Sequence, residues 1–146
     1  MSRAWIRHGL LGVAVVLGAA GVAGSLSTGD LPGNGDSWGH AVSFIGFALL
    51  GWFIVGRRPE LPIGWLYLAG GTTGAAAVLA SWWSFESLLR DPGSLPGGPI
   101  AAWLAVALSP LSWPLVLVAP LVLFPTGRVR TRRWFWFMTV TGATIG

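Results

Sequence analysis

The sequence predicts an all-α integral membrane protein with four complete transmembrane helices, a truncated fifth and a cytoplasmic N-terminus. Three observations lead there. Of the 146 residues only 10% are charged while 53% are hydrophobic, and the mean hydropathy is +0.68, against about 25% charged residues in an ordinary soluble domain. So few charges cannot cover a water-facing surface, and they are equally foreign to disordered chains, which are polar and highly charged. Second, the apolar residues gather into uncharged runs long enough to cross a hydrocarbon layer of about 30 Å. Third, the basic residues are nine arginines and no lysine, and they flank those runs. The net charge of +4 therefore reads as a topology signal and not as a nucleic-acid surface. The chain has no cysteine, which excludes disulfides, thiolate nucleophiles and zinc–cysteine or iron–sulfur centres.

The first run covers residues 9–26 and the second 39–56, each about 27 Å long at about 1.5 Å per helical residue. The third, 62–83, reaches about 33 Å and the fourth, 100–124, about 37 Å. A fifth run starts at Trp134 and meets Gly146 after about 20 Å, too short to span. Residues 1–146 thus read as a single transmembrane helical domain, the N-terminal part of a longer protein. The first run has a second reading as a cleaved signal peptide, with Arg3 and Arg7 as its basic head and the small residues Gly21 and Ala23 near a cleavage site.

Orientation follows from the arginines, because cytoplasmic loops keep an excess of basic residues near the helix ends. Arg3 and Arg7 precede the first span, Arg57 and Arg58 link the second to the third, and Arg128, Arg130, Arg132 and Arg133 follow the fourth. These eight share one side; the opposite side has only Arg90. Of the acids, Asp30, Asp36, Glu86 and Asp91 fall on that opposite side and Glu60 on the arginine side. The tryptophans Trp5, Trp38, Trp82, Trp83, Trp103, Trp134 and Trp136 lie near span ends, at headgroup level. Trp113 does not; it sits mid-span beside Pro110 and Pro114, with Pro120 further on. Each proline removes a backbone donor and clashes one turn back, so a kink is expected there, as a hinge or simply as packing, with Ser109 and Ser112 available to bond the freed groups.

Gly70 and Gly74 form a G-x-x-x-G on the third span, followed by Ala75, Ala76 and Ala77. Small residues let membrane helices approach closely. Such a face packs within one chain or joins two copies as a homodimer, and the motif leaves both open.

Chemistry-bearing residues are scarce. His8 reads as an interfacial side chain, and His40 near Asp36 as a helix-entry residue or a pH-sensing pair. Residues 35–39 spell the G-x-S-x-G of a hydrolase nucleophile elbow, but in a loop entering a membrane helix without triad partners; an N-cap by Asp36 or Ser37 accounts for them better. The spans hold no acid or arginine at mid-depth, which counts against an ion-coupled carrier, while an uncharged pore lined by Thr72, Thr73 and Ser109 stays open. Neither cofactor nor metal site is expected, and the chain alone is not expected to be an enzyme.

Three ordered segments carry a family resemblance: RRPELPIGWL at 57–66, DPGSLPGGPIAAWL at 91–104 and FPTGRVRTRRW at 124–134. Together they resemble the N-terminal multi-helix membrane region of many actinobacterial sensor histidine kinases, which typically shows RRP-x-NPIGWL, then PGSLPGG with AAWL, then FPDGR followed by SRRW. Leu61 stands where that family usually has Asn, and Thr126 where it has Asp. The resemblance covers about residues 57–136 and implies a membrane sensor or anchor whose partners are the lipid bilayer and a cytoplasmic kinase module, absent from this chain. The alternative is a stand-alone multi-pass membrane protein, such as a transporter accessory or channel-like subunit. Reading the gene past Gly146 separates the two. Reporter fusions at Gly33, Glu60, Gly93 and Thr126 are expected to report outside, inside, outside and inside in turn; Glu60 on the same side as Gly33 would refute the map.

Overall fold

The computed structural model describes residues 3–28, 37–118 and 120. Helix α1 spans Arg3–Thr28, α2 Ser37–Arg57, α3 Pro62–Phe85 and α4 Gly98–Trp113. Both α3 and α4 run on into a wider π turn, Glu86–Arg90 and Pro114–Val118 respectively. With these extensions the described residues hold four helices long and apolar enough to cross a membrane. Helix is what hydrocarbon demands, because every backbone N–H and C=O there must be satisfied within the segment. Side-chain hydroxyls follow the same rule: those of Ser43, Thr72, Thr73, Ser81 and Ser112 donate to carbonyls one turn back at 2.7–2.9 Å.

The helices outrun the apolar runs that predict them. The run at 9–26 lies within Arg3–Thr28, 39–56 within Ser37–Arg57, and 62–83 within a helix that reaches Phe85 before its π turn. Backbone hydrogen bonding continues past the last apolar residue, where headgroups and water replace hydrocarbon. Arg3 and Arg7 are therefore helical residues, continuous with the first apolar run. The fourth helix starts at Gly98, not Ile100, and is described to Val118 and again at Pro120. The fifth run from Trp134, with Arg128, Arg130, Arg132 and Arg133, lies outside the described residues.

Two short connections are described. Between α2 and α3 the Leu61 N–H donates to the Arg58 carbonyl at 3.1 Å, and Pro62 opens α3 at a first-turn position, where its missing N–H has no intrahelical partner to lose. Between α3 and α4, Gly93 and Gly97 take left-handed φ values of 91° and 77°, a region that other residues enter only with strain. Gly93 thereby sends its N–H back to the Ser87 carbonyl at 3.1 Å and closes the π turn. The Trp83 indole N–H donates to the Pro96 carbonyl at 3.1 Å and pins this loop to the end of α3.

α3 is the central helix, packed against all three others. Its main seam is with α2. The buried residues of α2 are Ala41, Phe44, Ala48, Gly51 and Val55, spaced alternately by three and four, and α3 answers with Gly64, Leu68, Gly71 and Ala75. They meet in antiparallel order. Gly51 rests on the backbone of Gly64 and Leu68, Gly71 on that of Phe44 and Ala48, and Gly74 under the Phe44 ring. A β-carbon on Gly71 would lie 2.6 Å from the Phe44 carbonyl oxygen and 2.9 Å from the Ala48 Cα, closer than real atoms approach, so glycine sets the spacing of these helices.

Helix α1 lies in the groove between α2 and α3. Gly18 faces Ile45, Gly21 faces Val78 and Leu79, and Gly24 faces the Trp82 indole, while Ala14 joins Ala48 and Leu68 in one core cluster. α4 leans on the other side of α3, with Leu115 and Val116 against Gly70, and Val116 reaches the second cluster with Phe44 and Ala75. Ile100, Trp103, Val106 and Leu111 of α4 face outward, the surface expected of a helix solvated by lipid.

Gly71→Val should destabilise the bundle by about 1–3 kcal/mol through overpacking. Gly46, with no atom within 4 Å of its would-be β-carbon, should accept Ala without loss. Thermal unfolding of the two variants in the same detergent is the check.

Candidate functional site

The bundle has one basic, aromatic end. Antiparallel packing of α1 and α2 brings the start of α1 to the end of α2. There the Arg7 guanidinium lies over the Trp52 ring, 5.6 Å from its centroid, with one terminal nitrogen in the space left by the missing side chain of Gly56. Trp52 donates its indole N–H to His8 Nδ1 at 3.2 Å, and the two rings meet edge-on. Arg57 stacks over Phe53 at 5.1 Å, Arg58 pairs with Glu60 at 3.7 Å in a largely solvated bridge, and Trp65 donates to the Pro59 carbonyl. Arg3 is the first residue of α1. Of the eight arginines that the sequence assigns to one side, Arg7, Arg57 and Arg58 lie at this end.

The other end carries Glu86 and Arg90, paired at 3.3 Å one turn apart, and the Trp82–Trp83 edge contact. His40 meets the ring of Trp113 edge-on at 5.8 Å. Trp113 also packs on Phe44 at 5.1 Å. Its ring therefore ties α4 to α2, because helical side chains lean toward the N-terminal end of their own helix, which here points Trp113 back toward the start of α2. Asp36, the other half of the suggested pH-sensing pair, and Gly35 of the G-x-S-x-G lie outside the described residues.

Between the two ends is the proline segment. Pro110 sits inside α4 and Pro114 begins the π turn. Pro110 leaves the Val106 carbonyl, and Pro114 the Pro110 carbonyl, without their usual donors. Widening to π geometry directly after the second proline is how the backbone absorbs the break. The expected repair by serines is not what forms: the Ser112 hydroxyl donates to Leu108 at 2.8 Å, a carbonyl neither proline frees, and Ser109 is exposed. Pro120 is helical and buried.

Gly70 and Gly74 do form a helix-contact face, and it is filled within the chain. They serve different neighbours, Gly70 meeting Leu115 and Val116 of the π turn and Gly74 meeting Phe44 of α2. The suggested pore lining does not come together. Thr72 faces α1, its hydroxyl 3.4 Å from the Leu10 carbonyl, and Ser109 is on the exposed side of α4. Among the described residues no three His, Asp or Glu side chains gather to hold a metal. What the arrangement offers is a glycine-packed three-helix core, a fourth helix with a proline and a π turn in its length, and a cationic rim.

Sequence reasoning missed the Arg7–Trp52–His8 group and the Trp113–His40 contact. A signal existed for the second: a tryptophan at mid-depth is out of place unless a neighbouring ring receives it. Comparison with known protein families, curated proteins and solved structures finds no match for the chain.

Because the chain has no cysteine, introduced cysteines report cleanly. Trp113→Ala should raise the spin-label distance spread between α2 and α4 while leaving that between α2 and α3 unchanged; equal broadening of both would show that Trp113 supports the whole core.

Proposed function

We propose that this chain is the membrane sensor or anchor region of a histidine-kinase-like signal-transduction protein, residing in the cell membrane with its N-terminus in the cytoplasm. The observation that carries the reading is the broken backbone of the fourth helix, which holds Pro110 and widens into a π turn at Pro114. α2 and α3 meet backbone to backbone at Gly51 and Gly71, and α1 is seated against them with Gly18 under Ile45 and Gly21 under Val78 and Leu79. α4 instead rests on α3, at Gly70 and in the core beside Ala75, and on α2 through Trp113. A glycine-packed core beside a helix with two prolines and a π turn suits a device that converts a stimulus into a helix displacement. The three sequence segments that resemble sensor-kinase membrane regions support the same assignment, and two of them flank or enter α4.

In this reading the eight arginines fix the cytoplasmic side, a fifth helix beginning near Trp134 leads toward a kinase module, and the bilayer and a second copy of the protein are the partners. α4 shifts about Pro110, Pro114 and Pro120 between two packings of comparable stability. The stimulus favours the packing it binds or solvates better, and the shift changes how the downstream dimer is held. With no kinase core, the chain alone carries no phosphotransfer chemistry.

The experiment joins the chain to a kinase core and replaces Pro110 and Pro114 together by Ala. A straightened α4 should lock the fused kinase in one output state, with at least about a fivefold loss of stimulus response, the lower end of ordinary allosteric coupling. Unchanged signalling with intact insertion would overturn the hinge, and a chain that inserts and functions with no kinase partner would assign it to the stand-alone class.

A further inference from the structure

We infer that the Arg7–Trp52–His8 group binds the phosphate of an anionic lipid headgroup. The inference stands apart from the signalling role and from which side of the membrane this end faces. Arg7 is held in place by contacts that leave its charge unanswered. Its guanidinium stacks on Trp52, its outer end fills the gap at Gly56, and its Nε is shielded from solvent without a hydrogen-bond partner. The ion pairs among the described residues are Arg58–Glu60 and Arg90–Glu86. The acid at this end is thus engaged by Arg58, and Arg7 has no carboxylate.

A planar guanidinium that presents several N–H groups from a fixed position matches a phosphate better than a point charge would. His8 completes the site. An imidazole that accepts at Nδ1 from Trp52 carries a proton on Nε2, which leaves that N–H as a second donor on the same indole scaffold. Trp52 orients both groups and is itself a headgroup-level residue. The location, at the first turns of one membrane helix and the last of another, is where lipid phosphates lie. Gly56 has a defined part here: it makes the room that the guanidinium occupies.

The test uses the full chain, purified and reconstituted in nanodiscs of phosphatidylcholine with or without phosphatidylglycerol, with bound lipid counted by native mass spectrometry after release. Wild type should retain phosphatidylglycerol over phosphatidylcholine. Arg7→Gln should reduce that retention by about tenfold, as expected for loss of a charge-assisted contact. Gly56→Ala keeps every charge and displaces only the flexible end of Arg7, so it should reduce retention by about threefold without loss of folding. Arg58→Gln removes the same charge from the solvated rim and should leave retention unchanged. Equal losses in Arg7→Gln and Arg58→Gln would overturn the proposal in favour of diffuse attraction. Unchanged retention in Gly56→Ala would also overturn it, as would wild type without lipid preference. If millimolar inorganic phosphate displaces the lipid and alone raises the melting temperature of wild type but not of Gly56→Ala, the ligand is free phosphate and the lipid assignment fails.

Discussion

Apolar side chains gain little by leaving lipid for protein, so membrane helices cohere only as well as their surfaces interlock. Here the interlocking depends on the closeness of two backbones. Gly51 against Leu68 and Gly64, and Gly71 against Phe44 and Ala48, bring α2 and α3 near enough for main chain to touch main chain along an alternating three-and-four seam. The same spacing places Phe44 over Gly74 and into the cluster with Ala75 and Val116. α1 then has a groove of fixed width to fill, and α4 a fixed face to lean on.

The polar groups are distributed to leave that seam undisturbed. Hydroxyls within the helices turn back to their own carbonyls, and that of Thr72 also reaches across to the Leu10 carbonyl of α1 at 3.4 Å. Among the described residues the charges are kept to the ends, where the indoles of Trp65 and Trp83 also reach loop carbonyls. The irregular backbone is confined to α4 and the end of α3.

Much of the architecture is legible in the sequence. Uncharged runs give the helices because lipid excludes charge, and Pro62, Pro110 and Pro114 mark a start and a break because proline lacks a donor. Partnership is harder to read. In a soluble helix the buried stripe is apolar and the exposed face polar, but on α2 the exposed Val42, Leu49, Leu50 and Phe53 are as oily as the buried Phe44 and Val55, so hydropathy carries no phase. Residue size does carry it, and Ala41, Ala48 and Gly51 in series mark the face that Gly70 and Gly74 alone do not assign. The Arg7–Trp52–His8 group joins residues 44 positions apart, and nothing local in either segment points to the other.

A seam built from glycine also shapes how the gene can drift. Any single-base change in a glycine codon that alters the residue installs something larger, so every missense event at Gly51, Gly64 or Gly71 pushes the helices apart and none draws them closer. Isoleucine, valine and leucine interchange readily on the outer surface of α4, where lipid moulds to whatever it meets. Lineages of this protein should therefore diverge fastest on the helix with the prolines and slowest at the positions that have no side chain to vary.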